Sequence, residues 1–214
     1  MKIKWLGHAS FLIRTGGTNV YIDPYAGEYT EKADLILVTH DHGDHCALGK
    51  ISQIVKPNTM IATSLQAAEK VKGVGVEVIL MEPGDSKELK GIKLLGVEAY
   101  NTHRFRSPGV PFHPKGTQVA FILEAEGKRL YHAGDTDLLP SMKQLSNIDI
   151  AMIPMGGQFT MDAAEGAEAA LAIKPRIVLP MHRREENIEE FKKQVEAAGI
   201  QVKILKEGEE LDLP

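Results

Sequence analysis

The chain has 214 residues, 43% hydrophobic and 25% charged, with a formal net charge of −4 and no basic block, which argues against a nucleic-acid footprint. That length can bury one sizeable core, and the alternation of strand and helix patterns predicts an α/β fold in a single domain, residues 1–214. The only cysteine, Cys46, excludes an intrachain disulfide framework and fits a reducing compartment.

The opening residues 1–5, Met-Lys-Ile-Lys-Trp, read as a strand with no signal peptide, and no apolar stretch is long enough to span a bilayer, so a cytoplasmic location is expected. Residues 3–5, 10–14 and 19–22 predict short strands, broken by Gly7 and the Gly16-Gly17 turn and ending at Asp23-Pro24. Residues 35–38, Leu-Ile-Leu-Val, predict a buried strand; a strand over 59–62 leads into a helix over 64–72 with Ser64 as cap. Between residues 73 and 98, short strands separated by Pro83-Gly84-Asp85 and Gly91 predict a meander that continues the first sheet. Residues 118–124 and 129–131 form a second hairpin around Glu126-Gly127, ending at Gly134-Asp135 and followed by a buried strand over 148–153.

The helix over 162–173 opens with the capping-box spacing of Asp162 and Glu165 and stops before Pro175. A helix over 185–198 carries Ile188, Phe191 and Val195 on one face and ends at Gly199. Residues 201–205 read as an edge strand and 207–210 as a solvated charge run; no helix carries an organic-cofactor box. Hairpin, acidic residue, connecting stretch and buried strand occur in that order twice. This predicts two similar β-rich halves joined face to face, each covered by helices on its outer side.

The densest chemistry lies directly behind the strand over 35–38, in Thr39-His40-Asp41-His42-Gly43-Asp44-His45. Neutral imidazole offers a nitrogen lone pair and aspartate an anionic oxygen, the ligands that zinc, iron and manganese accept. His103, Asp135 and His182 share one position type, each following the end of a predicted strand, and groups gathered at one end of a sheet converge in space. With His40, His42, Asp44 and His45 they make seven candidate ligands, too many for one tetrahedral ion and enough for two. Asp135, in the tight Ala133-Gly134-Asp135-Thr136 turn, is the natural bridge.

The run His40-Asp41-His42-Gly43-Asp44-His45 resembles the HxHxDH signature of the metallo-β-lactamase superfamily, and His103, Asp135 and His182 follow in the order of its later ligands. Gly7-His8-Ala9-Ser10, Tyr131-His132-Ala133-Gly134-Asp135-Thr136 and Gly156-Gly157-Gln158-Phe159-Thr160-Met161 look like the branch that includes sugar-phosphate lactonases and is related to N-acyl-phosphatidylethanolamine phospholipase D. The resemblance implies a four-layer αββα sandwich and hydrolysis of an ester, lactone, amide or phosphodiester at a site with two divalent ions (Zn, Mn or Fe). It implies His40, His42 and His103 around one ion, Asp44, His45 and His182 around the other, and Asp135 shared.

Two such cations make hydroxide available near neutral pH and polarise the oxygen under attack, with Asp44 and Asp135 as catalytic carboxylates. His8, at a strand end beside Gly7, is expected to face the site as a hydrogen-bond donor or proton carrier; His132 is weighed more toward a satisfied buried histidine. Arg104, Arg106, His113 and Lys115 lie in the glycine- and proline-rich loop after His103 and are expected to form a substrate lip, which favours a small phosphorylated lactone or ester. A phosphodiesterase is the alternative chemistry and a non-catalytic metal-holding protein the alternative class. Of Arg183 and Arg184, one is expected at the pocket mouth and the other against Glu185 or Glu186. A homo-oligomer in which residues 108–114 pack on a neighbouring subunit is compatible with the sequence.

Overall fold

A computed structural model describes residues 1–183 and 188–213. The first half opens with an antiparallel meander of β1 (Lys2–Gly7), β2 (Ser10–Thr15) and β3 (Thr18–Ile22), with Gly16 and Gly17 both at positive φ in the turn that sets Thr15 opposite Thr18. Pairing then becomes parallel through β4 (Leu35–Val38), with α1 (Leu48–Ile54) leading to β5 (Met60–Thr63) and α2 (Leu65–Val71) to β6 (Glu77–Leu80).

The second half starts with β7 (Ser86–Leu89) and β8 (Ile92–Val97), then a small separate hairpin of β9 (Phe105–Ser107) and β10 (Val110–Pro111). It continues through β11 (Ala120–Ala125), β12 (Lys128–His132), β13 (Ile150–Pro154), α3 (Ala163–Ile173), β14 (Ile177–Met181), α4 (Ile188–Ala197) and β15 (Gln201–Val202). The last strand, β16 (Glu210–Asp212), returns to pair with β1. The sheets run β16-β1-β2-β3-β4-β5-β6 and β7-β8-β11-β12-β13-β14-β15, and the antiparallel and parallel pairings fall at the same places in both. Asp23 after β3 and Asp135 after β12 therefore hold equivalent positions.

Strand alternation divides the core. Phe11, Ile13, Leu35, Leu37 and Ala62 face the second sheet and pack in one cluster with Phe121, Leu123 and Leu130. Their neighbours Leu12, Tyr21, Ile36, Val38 and Ile61 face outward onto Ile51, Ile54, Ala67 and Val71 of α1 and α2. On the other side Ala167, Ala170, Phe191 and Val195 bring α3 and α4 onto the second sheet, which completes the αββα sandwich.

Three expectations need correction. Only β6 of the stretch 73–98 continues the first sheet; β7 and β8 join the second, because Leu89, Ile92 and Leu94 are needed to close the shared core beside Phe121. The charge run 207–210 ends in β16, where Glu210 lies opposite Lys4. The final edge strand is shorter than 201–205, since β15 covers Gln201–Val202. Arg184, Glu185 and Glu186 lie outside the described residues.

Candidate metal centre and active site

All the donors come from loops at one end of the sandwich. His40, His42, Asp44 and His45 follow β4, Asp135 follows β12, His182 follows β14, His8 sits between β1 and β2, and His113 precedes β11. In such sheets, ligands gather at the carboxyl ends of parallel strands. Donor atoms of His40, His42 and His113 lie within 4.8 Å of one another, as do those of His40, His45 and Asp135 and those of His8, Asp44, His45 and His182.

Hydrogen bonds on the far ring nitrogens leave lone pairs aimed inward. The Thr39 hydroxyl donates to Asp23 Oδ2 at 2.8 Å, so it accepts from His40 Nδ1 at 2.9 Å and leaves His40 Nε2 without its proton. His45 Nδ1 donates to the same Asp23 oxygen at 2.7 Å, and the Thr39 amide to Asp23 Oδ1 at 2.7 Å. Asn101 directs its amide nitrogen to Asp137 Oδ1 at 2.9 Å and to the Phe159 carbonyl at 3.0 Å. Its Oδ1 then accepts from the His113 amide at 2.9 Å and from His113 Nδ1 at 2.8 Å. Asp23, Asn101 and Asp137 were not singled out from sequence as site residues; the repeated strand-then-aspartate order at Asp23 and Asp135 is the signal that could have found the first.

Of the nitrogens so exposed, His113 Nε2 meets His42 Nδ1 at 3.1 Å. His40 Nε2, His45 Nε2, His182 Nε2 and Asp135 Oδ1 are buried without a hydrogen-bond partner among the described residues. Asp135 Oδ1 lies 3.2 Å from His45 Nε2, and Oδ2 lies 3.2 Å from His182 Nε2 and 3.4 Å from His113 Nε2. Acceptors facing acceptors at these distances are reconciled by a shared proton or a cation, and imidazoles with a carboxylate are the donor set of zinc, manganese or iron. The residues fit the metal that the fold family implies.

The electrostatics divide the cluster. Burial pushes His40 well below its ordinary value, lowers His42 and takes His113 down to about 4, which keeps all three neutral. Burial also opposes charge on His45, but Asp135 and Asp23 outweigh it and hold that imidazole well above its ordinary value; Asp135 acts similarly on His182. Burial would raise the Asp135 carboxyl, yet His45 and His182 hold it well below the usual carboxylate range. Asp44 is held low too, against burial, by its hydrogen bond from His8, whose Nε2 is 3.2 Å from Asp44 Oδ2.

Three residues here adopt left-handed backbone: His8 (φ 52°), Asp23 (φ 45°) and His182 (φ 44°). The His8 carbonyl accepts from Trp5 Nε1 and from the His182 amide, each at 3.0 Å, which pins both loops. The His8 and His182 rings are 3.9 Å apart at their centroids.

The structure does not bring His103 into the cluster. Asp137 collects the amides of Thr102 (2.6 Å) and His103 (3.0 Å) and turns the chain outward. The His103 ring, 55% exposed, then lies 2.8 Å from Glu165, and the loop delivers His113 instead. His113 thus moves from the expected substrate lip to the cluster of donor groups around His40 and His42. Arg104 is not a free lip either: it clasps Asp137 at 2.7 Å, the Gly157 carbonyl at 3.0 Å and Glu165. Lys115 pairs with Glu98 at 2.8 Å over the Tyr100 ring and lies outside the cluster. Arg106 remains beside His40, His42 and His113. His132 is a satisfied buried histidine, donating from Nε2 to the Ala9 carbonyl (2.9 Å) while Nδ1 accepts from the Gly134 amide (3.3 Å). Arg183 donates to the Leu205 carbonyl at 2.7 Å and stacks over Trp5. Buried Cys46 precedes α1, its thiol raised by burial to about 11.

A Beta-lactamase superfamily domain matches residues 2–182, and with this fold and donor set the chain belongs to the metallo-β-lactamase superfamily. Within it the chain is a metal-dependent hydrolase, similar along its full length to UPF0173 metal-dependent hydrolases. That of Pelotomaculum thermopropionicum is 35% identical and that of Pyrococcus abyssi 38% identical, each over 100% of both chains. A crystal structure from Parabacteroides distasonis shares 32% identity and a TM-score of 0.88, covering 97% of this chain and 93% of that one. Igni18, a metallo hydrolase of Ignicoccus hospitalis, shares 26% identity and a TM-score of 0.82, covering 100% of this chain and 99% of that one. No helix among the described residues is long and apolar enough to cross a membrane.

Proposed function

We propose that this enzyme hydrolyses a small cytoplasmic ester or lactone bearing an anionic group, at a site that holds two divalent ions. The observation that carries the reading is the place of Asp135, whose oxygens lie 3.2 to 3.4 Å from nitrogens of His45, His182 and His113 and so face both histidine sets. His40, His42 and His113 would hold one ion, Asp44, His45 and His182 the other, and Asp135 both. The ions, when bound, supply hydroxide near neutral pH and polarise the oxygen under attack. The absence of thiolate from the donor set suits zinc, manganese or iron.

The chain's own groups do the rest. Asp23, Thr39 and Asn101 fix the tautomers of His45, His40 and His113, and His8 orients Asp44 from a position where its ring can also carry a proton to or from the site. Of the four groups expected to bind a phosphate, only Arg106 lines the cavity beside His40, His42 and His113 with no ion pair among the described residues, which suits one anionic group better than a densely charged ligand.

The test is metal content with hydrolysis of a simple lactone and of bis(p-nitrophenyl) phosphate, for the native chain and for Asp135→Asn. About two ions per chain, lactone cleavage and loss of both in the variant are expected. Fewer than one ion after reloading, or a rate that survives the substitution, would overturn the mechanism; cleavage of the phosphodiester alone would replace the ester reading.

A further inference from the structure

A cavity of about 230 Å3 opens beside His40, His42 and His113, between the β9-β10 hairpin and the start of α2. One wall is apolar, made by Val110, Pro111 and Phe112. The Phe112 ring is fixed edge-on against Phe159, with centroids 4.7 Å apart. Arg106 lies across this wall, donating from Nη2 to the Phe112 carbonyl at 3.0 Å with its guanidinium carbon 5.8 Å from the Phe112 ring centroid. That leaves most of its donors unused, and it makes no ion pair among the described residues, whereas Arg104 and Lys115 in the same loop are both paired. The Gln66 side chain also lines the cavity, its oxygen buried without a hydrogen-bond partner among the described residues. The carboxylate on the rim, Asp41, is paired with Lys70 at 3.4 Å.

An unpaired guanidinium, an unsatisfied amide and a short apolar wall next to three metal-facing histidines define a complementary ligand. We propose that this cavity seats the non-reacting part of the substrate, and that Arg106 selects a small ester or lactone whose carboxylate or phosphate oxyanion lies a few atoms from the scissile bond. Gln66 then meets a hydroxyl or amide of the same molecule, and Phe112 covers the carbon segment between. A guanidinium presents a planar fork that an oxyanion fills with two hydrogen bonds, and a bound anion there holds the reacting carbonyl over the histidines. The inference rests on the proposed ester or lactone reading, and its test separates the two.

The probes are three p-nitrophenyl esters of equal chain length, ending in a methyl group, a carboxylate or a phosphonate, offered to the metal-loaded native chain and to Arg106→Ala, Arg106→Lys and Arg106→Glu. The expected result is a ratio of kcat/KM, anionic over neutral, that falls about tenfold or more in Arg106→Ala, is partly restored in Arg106→Lys and falls furthest in Arg106→Glu. The better anionic ester tells carboxylate from phosphate. An unchanged ratio in Arg106→Ala would overturn the proposal. If the native chain cleaves none of the esters, the ester reading fails, and calorimetric titration with succinate and inorganic phosphate decides the cavity alone: binding lost in Arg106→Ala supports it, and binding that is absent or equal in both chains overturns it.

Discussion

Asn101 Oδ1 lies 2.8 Å from His113 Nδ1, and the same oxygen takes the His113 backbone amide. The Asn101 amide group is held by Asp137 and the Phe159 carbonyl, so it cannot turn over and present its nitrogen. In Asn101→Leu the ring loses both its orientation and its tautomer. The affinity for the ion at His40, His42 and His113 is expected to drop about 10- to 100-fold. Calorimetric metal titration checks this, and a folded Asn101→Leu chain that binds at native affinity would refute it.

His113 and His103 give opposite outcomes. His113→Ala removes a buried donor beside His42 and Asp135, and metal content should fall by about one ion per chain, with hydrolysis down by roughly 100-fold. His103→Ala removes an exposed ring on Glu165, and should leave metal content native and change stability by no more than about 1 kcal/mol. Elemental analysis and thermal melts of the two variants decide it; metal loss in His103→Ala would return that residue to the centre.

Gly156 touches the site without carrying a side chain. A Cβ there would meet His182 Nδ1 at 2.9 Å and the His182 carbonyl at 2.9 Å, one of them backbone that cannot swing away. Gly156→Ala is expected to displace His182, weaken the ion shared with Asp44 and His45, and cost about 1 to 3 kcal/mol. Melting temperature and metal stoichiometry should fall together; a loss of stability with full metal content would show that His182 does not hold an ion.

Metal uptake should release protons. Asp135 and Asp23 raise His45 well above its ordinary value of 6.5, so in the metal-free chain near pH 7 the ring is an imidazolium. A metal ligand must be neutral, so binding expels that proton, and affinity should rise with pH until His45 is deprotonated in the free chain. Titrations in two buffers of different ionisation enthalpy should report at least one proton released per ion on the His45 side near pH 7, with His182, also raised by Asp135, adding to it. No release would mean that His45 is already neutral without metal.

The cluster 39–45 was legible because ligand spacing is local: four donors behind an apolar strand keep their meaning whatever the rest of the chain does. Asp135 and His182 were legible for the same reason, since each follows the buried strand that aims it. His103 was misread because its loop runs to residue 113 before it returns, and the turn is set by Asp137, which lies 34 residues away. Nothing local distinguishes an outward His103 from an inward His113. Capping at Asp162 and Glu165 was readable, both reciprocal hydrogen bonds being present. The assignment of β7 and β8 was not, because either sheet could have used their apolar face.

The His182 amide donates to the His8 carbonyl at 3.0 Å, joining a loop of the second sheet to one of the first. The donors are divided in the same way: His8, His40, His42, Asp44 and His45 belong to the first sheet's loops, and His113, Asp135 and His182 to the second's. Any ion seated among them is therefore a clasp across the open end of the sandwich as well as a reagent. Chelation removes a mechanical restraint along with the chemistry, and the rigidity of the mouth becomes a property of metal supply.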